Sequence, residues 1–92
     1  MITRTVTITN PLGLHARAAA RFVRAATAFE SAVQLGSKSR IMDGKSILGI
    51  LLLTAAQGTV LTVSADGPDE ETAVATLTDL IASGLGDDTW SG

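Results

Sequence analysis

Strict alternation opens the chain. Over residues 2–9, Ile2, Arg4, Val6 and Ile8 fall on one side of an extended chain and Thr3, Thr5, Thr7 and Thr9 on the other. A period of two in β-branched residues predicts a half-buried strand. Asn10-Pro11-Leu12-Gly13 follows as a turn signal. Over residues 16–29 the period changes. Ala19, Phe22, Val23 and Ala26 recur at helical spacing, and Arg17, Arg21 and Arg24 occupy a different stripe of the same helix. Residues 31–43 read as a hairpin, with Ala32, Val33 and Leu35 on one arm, Ile41 and Met42 on the other, and Gly36-Ser37-Lys38-Ser39 as the turn. Residues 47–53 are apolar except for Gly49, a length that fits either a strand or a short helix; Ser46 as an N-cap favours the helix. Alternation returns over 59–65. Asp66-Gly67-Pro68-Asp69 then turns into a last helix with a Val74, Leu77, Leu80, Ile81 stripe. Asp69 is the predicted N-cap, Glu70 and Glu71 suit the positive end of the helix dipole, and Gly84 is the predicted stop.

The predicted order is βαββαβα. Four strands with helices over one face make an α+β fold, an open-faced β-sandwich with a mainly antiparallel sheet and three helices on one side. Residues 1–85 are expected to form one domain and 86–92 a short flexible tail, as a length of 92 residues permits.

Composition narrows the chemistry. Hydrophobic residues at 46% against 17% charged place the chain among globular proteins rather than disordered ones. With no cysteine there is no disulfide framework, cysteine zinc site, iron–sulfur cluster or thiol nucleophile. His15 is the single histidine, which excludes a two-histidine metal site, and no metal or cofactor is expected. A net charge of −2 argues against a nucleic-acid partner. No leader-like segment and no apolar run approaching a membrane span is visible, so a cytoplasmic location away from membranes is expected. The charge is unevenly placed. All seven bases lie between Arg4 and Lys45 with only Glu30 and Asp43 among them, and seven acids and no base follow.

Three constellations carry chemistry. Gly13-Leu14-His15-Ala16-Arg17 sets the histidine where a turn enters a helix. The N–H groups of a first helical turn form an anion site, and a nearby arginine adds a charge-assisted fork. A histidine there is placed to carry a phosphoryl group; the spacing alone also fits a helix-end residue beside a solvated arginine. Gly44-Lys45-Ser46 has the ending of a phosphate-binding P-loop, but Ser39 stands where that loop needs glycine, so the reading is rejected. Ser46 remains either a simple N-cap or a phosphorylation site. Ile47, Leu48, Leu51 and Leu52 exceed what one face of a short helix buries. They form either a fully buried segment or a partner-docking patch. Asp69, Glu70 and Glu71 are read as capping and solvation only.

Residues Ile8-Thr9-Asn10-Pro11-Leu12-Gly13-Leu14-His15-Ala16-Arg17 resemble the active-site segment of the HPr family, the histidine-containing phosphocarriers of the bacterial phosphoenolpyruvate-dependent phosphotransferase system. Asp43-Gly44-Lys45-Ser46-Ile47-Leu48-Gly49-Ile50 resembles that family's regulatory-serine segment, and residues 59–71 with the last helix also match. The resemblance spans residues 2–85. It implies the HPr open-faced β-sandwich and a carrier rather than a turnover enzyme. It implies that His15 accepts a phosphoryl group on Nδ1 from enzyme I and passes it to an EIIA-type domain, with Arg17 steadying it. Ser46 is then the target of HPr kinase/phosphorylase, and Arg21, Arg24, Ile47, Leu48 and Leu51 form the docking face of a monomer. Ala18 stands where the family often has proline, and Leu12 where many relatives are polar. The His-Ala-Arg-Ala-Ala form and the Ser83–Asp88 stretch are similar to NPr, the nitrogen-related branch. The alternative is therefore a mainly regulatory module, NPr-like or binding an effector once Ser46 is phosphorylated, rather than a component of sugar uptake.

Overall fold

The opening alternation forms a strand, β1 (Ile2–Thr7), and the helical stripe after it forms α1 (Ala16–Thr27). The hairpin arms are β2 (Ala32–Gly36) and β3 (Ile41–Asp43), and the apolar segment after Ser46 is a helix, α2 (Ile47–Leu52). The last two elements are β4 (Val60–Asp66) and α3 (Glu70–Ala82). This is a computed structural model, and it describes residues 1–38 and 40–86. The expected order βαββαβα is observed. Boundaries move slightly: β4 starts and ends one residue later than the expected 59–65, because pairing with β1 begins at Val60 and pairing with β2 extends to Asp66.

The four strands form one sheet in the order β1-β4-β2-β3, and every neighbouring pair is antiparallel. Register follows the alternation. Leu35 lies opposite Val63, and Val33 opposite Ala65, on the buried face. Thr5 lies opposite Thr62 and Thr3 opposite Ser64, on the open face, where the Thr3 and Ser64 hydroxyls bond at 3.0 Å. A one-residue slip would exchange these two faces, so burial of one of them pins the register.

The helices cover the other face. α3 lies against β1 and β4, and α1 packs against α2 and α3. Among the described residues Phe22 is the one fully buried aromatic, and it lies in the core with Leu35, Ile50, Leu61, Val63, Val74, Leu77 and Ile81. Each aliphatic side chain buried this way contributes about 1.5–3 kcal/mol. Ala18 and Ala19 are also fully buried, so α1 approaches its neighbours through small residues.

The N-terminus of α3 corrects one expectation. Asp69 makes no side-chain hydrogen bond to its own helix. Its carboxylate accepts instead from the Glu30 N–H at 2.9 Å, the Ser31 N–H at 3.0 Å and the Ser31 hydroxyl, tying α3 to the loop before β2. Glu70 takes over at the helix start by accepting from the Gly67 N–H at 3.0 Å. The Ser31 hydroxyl, with the Glu30 N–H, holds the Asp69 carboxyl below its ordinary value, and the Gly67 N–H does the same for Glu70. Asp69 is thus a bridge between elements rather than a cap or a solvated charge.

At the other end of α3 the chain turns left-handed at Gly84, at φ +95°, as the sequence anticipates. Leu85 follows at φ +57° with its side chain fully buried. The expected tail, 86–92, lies outside the described residues except for Gly86.

Candidate functional site

The turn after β1 sets the site. The Gly13 N–H donates to the Asn10 carbonyl at 3.1 Å, and Gly13 adopts φ +65°. A Cβ there would meet the Ala55 carbonyl oxygen at 2.5 Å, so only glycine lets the turn lie against the loop that follows α2. The Leu14 N–H then donates to that Ala55 carbonyl at 2.9 Å. More bonds hold the preceding residues. Ile8 donates to Thr59 at 2.9 Å and accepts from Gly58 at 2.8 Å, the Gln57 amide donates to the Thr9 carbonyl at 2.9 Å, and the Thr9 hydroxyl donates to the Ala82 carbonyl at 3.2 Å.

His15 emerges from this turn as the N-cap of α1, with extended backbone. Its Nδ1 accepts from the Arg17 N–H at 3.3 Å. Nδ1 therefore lies at the first turn of the helix, where N–H groups point outward and no acidic residue follows. The imidazole is half-buried, and Arg17 and Leu12 are exposed. An anion on Nδ1 meets the end of the helix dipole, with a guanidinium in the same turn. Among the described residues no cluster of His, Cys, Asp and Glu could hold a metal ion, and no helix is long and apolar enough to cross a membrane.

Known proteins supply the remaining observation. The family model described as the PTS HPr component phosphorylation site matches residues 2–83. The chain belongs to the HPr family. It is 45% identical over 89 residues to the phosphocarrier protein HPr of Xylella fastidiosa strain Temecula1, covering 97% of this chain and all of that one. A crystal structure of HPr from Thermoanaerobacter tengcongensis superposes with a TM-score of 0.90 at 43% identity, covering 97% of this chain and all of that one. A second structure from that organism, described as an HPr dimer, gives 0.74 at 44% identity over 94% of this chain and 99% of that one. The fold is the open-faced sandwich of HPr, and the function is that of a phosphocarrier in the phosphotransferase system. The mainly regulatory alternative is not favoured by these likenesses.

The other residues singled out from the sequence fall into two groups. Ser46 is the N-cap of α2, and its Oγ accepts from the Gly49 N–H at 3.1 Å. Ile47, Leu48 and Leu52 are exposed at 45, 71 and 47% while Leu51 is half-buried, so the apolar surplus of α2 does face solvent. Arg24 is exposed. Arg21 is engaged elsewhere: its Nη1 donates to the Leu85 carbonyl at 3.1 Å and the Gly86 carbonyl at 2.6 Å. It supplies the cation that the last turn of α3 lacks. Sequence reasoning missed the contribution of Ala55, because a backbone carbonyl leaves no trace in residue type. Nor does the sequence mark Asn10 as more than part of a turn.

Proposed function

We propose that His15 is the residue that carries the phosphoryl group, through Nδ1. The observation that carries this reading is the position of Nδ1 beside the Arg17 N–H at the start of α1, within the matched family segment. The step is a transfer between imidazoles. The neutral ring attacks phosphorus with its Nδ1 lone pair, the P–N bond to the donor histidine breaks, and that pair returns to the donor ring. The proton on Nε2 stays in place. The N–H groups of the first turn and the Arg17 guanidinium stabilise the equatorial oxygens as charge shifts. The donor in this reading is the phosphohistidine of enzyme I, charged by phosphoenolpyruvate, and the acceptor is an EIIA-type domain. The protein is a carrier used stoichiometrically, not a turnover enzyme.

Ser46 is read as the regulatory site, phosphorylated by an HPr kinase/phosphorylase. A phosphate there adds nearly two negative charges beside the exposed apolar surface of α2. The docking face in this reading comprises Ile47, Leu48 and Leu51 of α2 with Arg24 and the outward part of Arg21. Residues 1–85 act as one domain, as a monomer in the cytoplasm, with sedimentation at working concentration as the check on that state. The test of the central reading is incubation with labelled phosphoenolpyruvate and enzyme I. The wild-type chain should take up an acid-labile label and His15→Ala none; label retained by His15→Ala would refute the assignment.

A further inference from the structure

We propose that Asn10 is a positioning residue for His15, acting through a single peptide plane. The inference rests on the reading that His15 accepts the phosphoryl group, and adds to it what holds the ring in its transferring orientation. Asn10 is 4% exposed, one of two buried polar residues among the described residues. It closes both polar groups of Gly13. Its backbone carbonyl accepts from the Gly13 N–H at 3.1 Å, and its side-chain Nδ2 donates to the Gly13 carbonyl at 2.8 Å. That carbonyl belongs to the peptide joining Gly13 to Leu14. The N–H of the same peptide donates to the Ala55 carbonyl at 2.9 Å. The plane is therefore held at both ends, by Asn10 on its oxygen and by Ala55 on its nitrogen.

A plane held this way matters because glycine does not hold it unaided. At φ +65° Gly13 occupies a region where rotation of the following peptide meets no Cβ. Rotation of that plane changes ψ of Gly13 and φ of Leu14, and so the direction in which the chain delivers His15 to the helix. Nδ1 sits 3.3 Å from the Arg17 nitrogen, a long bond that a small rotation would lose. With it would go the alignment of the Nδ1 lone pair with the N–H groups of the first turn. A reacting group misplaced by about 1 Å costs up to about a hundredfold in rate. The Thr9 hydroxyl holds the same loop to Ala82 but touches neither end of the plane, which makes Thr9 the control.

The experiment measures phosphoryl transfer from enzyme I, with this protein as the varied substrate, alongside NMR of the histidine ring. In Asn10→Ala, and in Asn10→Asp, which keeps the shape but loses the donor, kcat should fall between about ten- and a hundredfold. KM should stay within about twofold, since the exposed surface is unaltered. Thr9→Val should transfer at the wild-type rate. In the wild type the neutral imidazole should carry its proton on Nε2, and in the variants the Nδ1–H form should gain. Either a wild-type kcat in folded Asn10→Ala or Asn10→Asp, or a wild-type ring protonated on Nδ1, overturns the proposal; the ring measurement decides even where both variants fail to fold. A wild-type chain that takes up no phosphoryl group on His15 overturns instead the assignment on which the proposal rests.

Discussion

The first and last helices begin in opposite ways. At the start of α1, His15 turns its side chain onto its own helix, through one long bond to the Arg17 N–H, and no acid follows in the first turn. At the start of α3, Asp69 turns away from its helix and satisfies three donors of the loop before β2, while Glu70 and Glu71 follow it. Both ends present the same backbone N–H groups and the same dipole. They differ in what already answers that positive potential. At α3 the first-turn carboxylates of Glu70 and Glu71 answer it, and the end is structural. The first turn of α1 holds no acidic residue, and that end can receive an anion from outside. The uneven charge of the sequence, basic through Lys45 and acidic after it, is this same division seen along the chain.

The contrast can be broken most strongly at Arg17. If the α1 end works as an anion site, Arg17→Ala should lower the rate of phosphoryl transfer by about a hundredfold or more, by analogy with the loss of one charge-stabilising donor. Thermal stability should hardly change, since the side chain is exposed. Stopped-flow transfer from enzyme I reads the first quantity and calorimetry the second. A large fall in melting temperature with unchanged transfer would make the two helix ends alike.

At α3 the expectation is reversed. Asp69→Ala should lower the melting temperature and leave phosphoryl transfer by the folded protein intact. The pH dependence has a defined sign. Hydrogen bonds from Ser31 and Glu30 hold the folded-state pKa of Asp69 below its ordinary value of 3.8. Its contribution to stability is then present above the unfolded-state value and lost as pH falls through the folded one. Acid unfolding followed by circular dichroism should show wild type and Asp69→Ala converging below about pH 4. A stability difference that persists unchanged in acid would show that Asp69 acts by packing and not through its charge.

The start of α2 lies between the two. Ser46 caps its own helix, as His15 does, but through a bond of 3.1 Å to Gly49. Ser46→Ala should cost about 1 kcal/mol in urea unfolding, the ordinary price of a lost N-cap, with no effect on transfer to His15. A loss much beyond that would mean that α2 braces the Ala55 loop on which Gly13 and Leu14 rest.

The extent to which these features were legible follows from the distance between partners in the chain. Elements are legible because their periods are local. Alternation at Thr3, Thr5 and Thr7 and the helical spacing of Ala19, Phe22 and Ala26 each need only a few neighbouring residues. His15 as a helix-entry residue and Ser46 as a cap are local in the same sense. The role of Asp69 is not, since its partner Ser31 lies 38 positions away and a cap is the default reading of an acid before a helix. Arg21 shares a stripe with Arg17 and Arg24, and nothing nearby marks that it reaches the carbonyls of Leu85 and Gly86, more than sixty positions on. The docking of Leu14 on the Ala55 carbonyl is a backbone event with no side-chain signature.

The most direct test of the central claim is the position of phosphorus on the ring. The chain labelled with 15N in histidine, phosphorylated through enzyme I, should show one-bond 31P–15N coupling to Nδ1 of His15. Coupling to Nε2, or phosphorus on any other residue, would contradict an account in which the start of α1 is the site that receives the anion.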